Sequence, residues 1–366
     1  MSNIAYQLYF LTTLIIISGF IVKRSNLLFC VQIIWMIILC SGNTNSLDFD
    51  INETLYNLAY YDESSGTIEY NILGYAYYIT RMLAYNAGLS FIQYNMIISM
   101  VAILMIGGVV RKYAKNYNVV ISLIYLYPFP EMVIQKRFLP AMAIMLIGLL
   151  YLNSETLKKK LKFVAMLLLG MGFHSSVIFY SIFFALEILF YKININKRKY
   201  IISILVGIEV LSINVIPLIL LNIFPDDKIQ LYFYTFADKA NIVTCLFWSL
   251  LQGTSIYLIH KINVGNNNKF GDFIYKINIY SICIMPLYIF DPVFSRFYRP
   301  ILILNYIYLS YLIPENIVMN KKEILGGIGV IIIGLLYSII WYYAGIGNMT
   351  FERMIMPIFE NNLYFN

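Results

Sequence analysis

Residues 158–199 read KKKLKFVAMLLLGMGFHSSVIFYSIFFALEILFYKININKRK. Lys158, Lys159, Lys160 and Lys162 stand at one end of this stretch, and Lys192, Lys197, Arg198 and Lys199 stand at the other. Between them lie two apolar runs joined by Phe173-His174-Ser175-Ser176. The runs predict helices near 161–174 and 176–191. Two helices joined by a tight turn return the chain to the side it left. Both basic clusters then share one side of a bilayer, and His174 lies on the other. Short cytoplasmic loops carry the excess of Lys and Arg, so the lysines face inward and the histidine faces out.

The same alternation continues in both directions. Basic residues recur at Lys23-Arg24, Arg111-Lys112-Lys115, Lys261-Lys269-Lys276 and Lys321-Lys322. The intervening gaps hold most of the acids, from Asp48 through Glu69 and on to Asp291 and Glu360. A membrane helix needs about 20 mainly apolar residues. Apolar runs predict spans near 4–22, 26–42, 91–110, 118–134, 138–153, 161–174, 176–191, 200–223, 242–259, 273–290, 300–313 and 325–345. Residues 70–88 are apolar enough to cross, but a crossing there would place Arg111-Lys112-Lys115 outside. A helix lying on or dipping into the outer face keeps every basic cluster inside. The predicted fold is an all-α polytopic integral membrane protein, with about 12 transmembrane helices and one outer-face or re-entrant helix. It is expected to be a single membrane domain over 1–366, with an extracytoplasmic loop and helix near 43–90 and both ends of the sequence outside.

Composition excludes other classes. The chain is 60% hydrophobic and 12% charged, with mean hydropathy +0.73; soluble domains carry about 25% charged residues. The net charge of +7 sits in short loops beside apolar runs. Attraction to an anionic inner leaflet accounts for it, so membrane lipids and no nucleic acid are the expected partners. Cys30, Cys40, Cys245 and Cys283 lie in or beside apolar runs without metal-ligand spacing and read as small core hydrophobes. The first apolar run lacks a basic leader and a small-residue cleavage site, and reads as a retained helix. No Walker A, Rossmann, HExxH or nucleophile-elbow pattern occurs.

Three outer turns open helices with cations or an imidazole: Gln135-Lys136-Arg137-Phe138-Leu139-Pro140, Gly172-Phe173-His174-Ser175-Ser176 and Arg296-Phe297-Tyr298-Arg299-Pro300. Proline suits a first helical turn, and serine suits a cap. Helix N-termini attract phosphate, and arginine adds a planar two-pronged donor. Arg137, His174, Arg296 and Arg299 are therefore the candidate phosphate-handling residues, with Lys136 a rim charge that helps bind substrate. Each has a plainer use. Arg137 and Arg299 can snorkel to headgroups, Arg296 can pair with Asp291, and His174 can cap a helix. The acidic loop offers Asp48, Asp50 and Glu69 for binding or activating a hydroxyl. Nearby tyrosines, among them Tyr56, Tyr60, Tyr75 and Tyr77, are candidate sugar-stacking platforms or an interfacial belt. No tight ligand cluster is visible, so no metal or other cofactor is expected. Glu209 lies mid-span, where a carboxylate marks either a paired site or a pathway. Glu187 is close enough to the inner interface to snorkel.

In this order the motifs resemble those of the EpsG/Wzy-like family of bacterial polysaccharide polymerases. The likeness runs over roughly 45–315. It is carried by Asp48-Phe49-Asp50, Tyr56, Tyr60-Tyr61 and Glu69-Tyr70-Asn71-Ile72-Leu73-Gly74-Tyr75, then by Gln135-Lys136-Arg137-Phe138-Leu139-Pro140-Ala141-Met142-Ala143, where the family pattern is often Arg-Gln before an Ala-rich helix. Phe173-His174-Ser175-Ser176 follows, and last comes Arg296-Phe297-Tyr298-Arg299 leading to Leu312-Ile313-Pro314.

The resemblance implies a GT-C-like membrane glycosyltransferase that works without metal on the outer face of the bacterial cytoplasmic membrane. It would move a growing glycan from a polyprenyl diphosphate carrier to another lipid-linked repeat unit, with a chain-length regulator as a further partner. The product classes are O-antigen, capsule and exopolysaccharide. In this reading Arg137, Arg296 and Arg299 neutralise the departing lipid diphosphate. His174 binds it or orients the acceptor, and Asp48, Asp50 or Glu69 handles the acceptor hydroxyl. A flippase or exporter of lipid-linked oligosaccharide would show polar residues through its span interiors. An O-antigen ligase or a membrane acyltransferase is the other enzyme alternative, and an acyltransferase fed from the cytoplasm would place its His and Asp chemistry inward.

Overall fold

The computed structural model describes residues 3–44, 46, 48–58, 73–153, 156–190, 193, 195–211, 213–222, 230–235, 242–263, 268–313, 351–360 and 362–365. Among these residues every regular element is helical, apart from an isolated bridge between Asn43 and Asn362. The chain divides into two compact units, Met1–Ile178 with Tyr306–Asn366, and Phe179–Asn305.

The first unit opens with α1 (Asn3–Ile21), α2 (Asn26–Ser41), α3 (Phe49–Asn57), α4 (Tyr75–Asn86), α5 (Phe91–Tyr113), α6 (Tyr117–Leu126), α7 (Phe129–Ile134), α8 (Phe138–Tyr151) and α9 (Leu157–Phe173). Local chemistry sets several boundaries. The Ser25 hydroxyl accepts from Leu28 N and starts α2. Ser90 and Gln93 form a reciprocal capping box on α5, whose last turn carries Arg111 and Lys112 against the negative end of the helix dipole. The second unit holds α10 (Ser181–Leu189), α11 (Ile195–Leu211), α12 (Ile216–Leu220), α13 (Ile242–Asn263), α14 (Lys269–Ser281) and the start of α15 (Arg299–Leu309). Returning to the first unit, the chain adds a 3₁₀ turn at Ser310–Leu312, α16 (Phe351–Met354) and α17 (Met356–Glu360).

The chain is a helical membrane protein. Among the described residues, two helices are long and apolar enough to cross a bilayer, Ile4–Ile21 and Phe91–Tyr113; a bent pair, Tyr200–Leu211 with Ile213–Leu220, makes a third if it is one broken span. Other expected spans appear as shorter pieces. The one expected at 118–134 divides into α6 and α7 around Pro128 and Pro130, because proline lacks the N–H that a helix interior requires. The one expected at 273–290 changes from α14 to a 3₁₀ stretch with Pro286 inside it. The span expected at 325–345 lies outside the described residues. The segment at 70–88 is described from Leu73, and its helix α4 has only 12 residues, about 18 Å of rise.

Within the first unit, residues expected on one side of the bilayer collect at one end. Arg111 Nη2 donates to Asn26 Oδ1 at 2.8 Å, Tyr117 OH donates to the same oxygen at 3.0 Å, and Asn118 Nδ2 donates to Val22 O at 2.7 Å. Asn116 Nδ2 reaches Ser310 O at 2.8 Å and Ile313 O at 2.9 Å. At the other end of α2, Lys136, Asn43 and Asn362 gather. Asn43 Nδ2 donates to Pro357 O at 2.9 Å, and Asn362 Nδ2 donates to Ile38 O at 3.1 Å.

A polar knot between these ends holds α1, α2 and α6. Gln32 Nε2 donates to Asn118 O and to Ser122 Oγ, and Ser122 Oγ donates to Ile16 O. Gly19 lets the backbones approach there, since a Cβ would collide with Ser122 and Gln32. Interhelical hydrogen bonds beside small residues are the usual fastening inside a bilayer.

Candidate functional site

The turn between α7 and α8 sends two adjacent cations to different uses. Lys136 is 5% exposed, and its Nζ donates to Cys40 O at 3.0 Å and Asn43 O at 3.4 Å. Cys40 lies in the last turn of α2, where the helix dipole is negative, and Asn43 lies two residues past its end. Burial holds the Lys136 ammonium below the ordinary lysine range. Its charge therefore serves α2 and is not presented at a rim. Arg137 turns to α4, with its guanidinium carbon 4.6 Å from the centre of the Tyr77 ring. Arg137 Nε and the Tyr77 hydroxyl are both buried without a hydrogen-bond partner among the described residues. Burial also raises the Tyr77 phenol, against the lowering pull of Arg137 and Arg81. Gly74, at φ +99°, precedes α4 and donates its N–H to Met171 O at 3.0 Å. A Cβ there would stand 3.7 Å from Arg137 Nη2.

His174 closes α9 next to that contact. Its ring meets Phe138, the first residue of α8, edge to face at 5.4 Å. Ser176 N–H donates to His174 Nδ1 at 3.3 Å, and Ser176 Oγ lies 2.7 Å from the same nitrogen. A backbone N–H can only donate, so Nδ1 is an acceptor and the neutral ring carries its proton on Nε2. The structure thus brings Arg137, Tyr77, Gly74, Phe138 and His174 into one cluster.

The aromatic loop residues divide differently from the sequence reading. Tyr56 and Tyr77 are core residues packed with Phe49, Phe91 and Tyr94, not open stacking platforms. Tyr56 OH donates to Leu89 O at 2.6 Å. Their rings fill the space under the short helices α3 and α4, which cannot otherwise bury an apolar face. Tyr75 is exposed. Asp48 is half-buried beside the start of α3, and Asp50 is exposed in its first turn. Tyr60 and Glu69 lie outside the described residues. Sequence reading passed over Arg81, which is buried on α4, donates to Leu55 O and lies 5.4 Å from the centre of the Tyr78 ring. Its position one helical turn from Tyr77 was the available signal.

The second unit holds Arg296 and Arg299, which are 6% and 3% exposed. Asp291 starts their 3₁₀ turn, its Oδ1 accepting from Val293 N at 2.7 Å. Burial raises the Asp291 carboxyl, while the Val293 N–H and the Arg296 charge pull it down. Arg299 is the first residue of α15, with Pro300 following. The charges of Arg296 and Arg299 both reach the Tyr180 hydroxyl, and that of Arg296 also reaches Asp291; two guanidinium groups beside a helix N-terminus favour an incoming anion. On the cytoplasmic side of the sequence reading, Glu187 does not snorkel. It is buried, 2.9 Å from Lys276 Nζ and bonded by Tyr280 OH at 3.0 Å. Glu209 is half-buried on α11.

Among the described residues no group of three His, Cys, Asp or Glu is placed to hold a metal ion. In comparison with known proteins, residues 6–352 match the EpsG family. No curated protein and no solved structure matches the chain.

Proposed function

The chain belongs to the EpsG family, and on that premise we propose that it is a membrane polysaccharide polymerase that takes both substrates on polyprenyl diphosphate carriers at the outer face of the cytoplasmic membrane. Family membership supports the polymerase-type role and a lipid-linked oligosaccharide as substrate. The structural observation that carries the finer reading is the Arg296–Arg299 turn, two buried guanidinium groups at the start of α15.

The reaction asks little covalent chemistry of the protein. The acceptor hydroxyl attacks the anomeric carbon of the donor glycan and loses its proton to a base. The new C–O bond forms as the bond to the diphosphate breaks, and that electron pair leaves with the lipid diphosphate. Positive groups fixed beforehand where this charge develops lower the barrier. Arg296 and Arg299 take that role. Arg137, backed by Tyr77, and the Nε2–H of His174 bind phosphate or orient sugar hydroxyls. Asp50, exposed at the start of α3, and Asp48 beside it bind or activate the acceptor, with Glu69 a further candidate. Tyr75 and Tyr60 contact sugars. Lys136 is assigned to the fold.

Replacing Arg296 and Arg299 separately by Ala in cells that make the glycan tests the reading. Single repeat units should accumulate on the final carrier while long chains vanish. Unaltered long polymer, with normal amounts of the variant in the membrane, would overturn the leaving-group role. The same gel separates the alternatives: a lost flippase leaves no repeat units, and a lost ligase leaves long chains unattached.

A further inference from the structure

The second unit contains a buried polar network that the proposed chemistry does not use, and it ends on the arginine turn. Asn278 on α14 and Asn305 on α15 bond reciprocally: Asn278 Nδ2 donates to Asn305 Oδ1 at 2.6 Å, and Asn305 Nδ2 donates to Asn278 Oδ1 at 3.1 Å. Tyr298 lies between Arg296 and Arg299 in sequence and joins both amides. Its hydroxyl donates to Asn278 Oδ1 at 2.7 Å and accepts from Asn305 Nδ2 at 2.9 Å. Ser281 Oγ donates to Asn278 O at 2.7 Å, and Gln252 Nε2 on α13 donates to Ser281 Oγ and Ser281 O, both at 2.9 Å. The same turn is held a second time, where Tyr180 OH donates to Phe297 O at 2.7 Å. Phe297 is clamped by Phe179 at 5.0 Å and Phe294 at 5.7 Å between ring centres.

We propose that Tyr298, Asn278 and Asn305, with Tyr180, are positioning residues that fix the backbone between Arg296 and Arg299 and so aim both guanidinium groups. Every amide and hydroxyl in the set is buried, and in a medium that cannot replace a lost bond each member is tied to its partners. Side chains at 296 and 299 flank a residue whose hydroxyl reaches Asn305 in the second turn of α15. A shift of that ring moves both arginines together. Transition-state stabilisation by fixed charges is sensitive to such shifts, because misplacement of about 1 Å can cost on the order of 100-fold in rate. Ground-state capture of a flexible lipid diphosphate tolerates them better.

The test uses the full chain in membranes, supplied with lipid-linked repeat units extracted from cells that lack it. It compares Tyr298→Phe, Tyr180→Phe and Tyr288→Phe. Tyr298→Phe keeps the ring and leaves Asn278 and Asn305 bonded to each other, so the folded amount and melting temperature should match the parent. Its kcat should fall roughly tenfold, about 1.4 kcal/mol of transition-state stabilisation, with KM within about twofold. Tyr180→Phe should show a smaller fall of the same kind. Tyr288, whose buried hydroxyl bonds Gln252, joins the network furthest from Tyr298, through Gln252 and Ser281, and Tyr288→Phe should show the smallest fall of the three. Equal losses in all three variants, losses that track melting temperature, or parental kcat in Tyr298→Phe would overturn the inference. Should Tyr298→Phe fail to accumulate, Tyr180→Phe carries the same readout. The inference rests on the arginines acting at the diphosphate, so Arg296→Ala and Arg299→Ala run beside it. Parental turnover in both would sink that function and this inference together. Loss in both, with parental turnover in the tyrosine variants, would sink the inference alone.

Discussion

Arg137 in the first unit and Arg296 with Arg299 in the second occupy opposite kinds of surroundings. Arg137 is half-buried, rests on the face of Tyr77, and has an Nε without a hydrogen-bond partner among the described residues. Arg296 and Arg299 are almost wholly buried on a turn held by Tyr180 and Tyr298. A cation on a ring face is held by a broad attraction of about 0.5–2 kcal/mol and can follow a moving ligand. A cation on a pinned turn meets its ligand at a fixed point. The first arrangement suits capture of a flexible substrate, and the second suits stabilising charge that appears only at the transition state.

Substitutions can break or sharpen that contrast. The largest effect is expected from Arg299→Ala, a loss of about 100- to 1,000-fold in kcat, as for removal of one fixed charge-stabilising donor. Arg299→Lys should recover little, since the two-pronged geometry is gone. Polymer assays of both variants decide it, and full rescue by Lys would demote the fork to a point charge. Next comes Arg137→Ala, expected to raise KM about tenfold while kcat changes less. A fall confined to kcat would put Arg137 with the pinned pair. Lys136→Ala should act on the fold, destabilising by about 1–3 kcal/mol because the Cys40 and Asn43 carbonyls lose a buried donor, with normal turnover per folded molecule. Thermal unfolding alongside activity checks this, and lost turnover at parental stability would return Lys136 to substrate binding.

Asp291→Asn should have the smallest effect. Burial raises the folded carboxyl of Asp291. Stability tied to a raised carboxyl is present below its unfolded pKa and is lost as pH rises through the folded one. At neutral pH the charge therefore weighs against folding. Asn keeps an oxygen for Val293 N–H and removes the charge. The melting temperature should be equal or slightly higher at pH 7, and the difference should shrink as pH falls toward about 4. A clear loss of stability at pH 7 would show that the Arg296 attraction outweighs burial.

The sequence exposed the ends of the helices better than their sides. Spacing of basic clusters separated Asn26 and Arg111 from Asn43 and Lys136, and the hydrogen bonds of the first unit follow that division. It also marked the turns that carry Arg137, His174, Arg296 and Arg299. It did not show which tyrosines are spent on packing. Tyr56 sits in an acidic loop and Tyr77 in the stretch read as an outer-face helix, so both read as interfacial, but the short helices α3 and α4 need large rings to bury any apolar area. Nor did it separate Lys136 from Arg137, since adjacent cations look alike until the backbone turns one toward α2 and the other toward α4. Asn278 and Asn305 were the missed signal. An amide inside an apolar run needs a partner, and two such runs were available to supply one.

The first unit is interrupted by the second, and this sets an order of events in the cell. Asn362 reaches back 324 positions to bond Ile38 O, and Ser310 O accepts from Asn116 Nδ2. A ribosome delivers α2 and α6 long before either partner exists. The early helices must therefore enter the bilayer with those contacts open and wait while residues 179–305 are threaded in. Cutting the gene after residue 305 would strand an insertion intermediate, not a smaller enzyme.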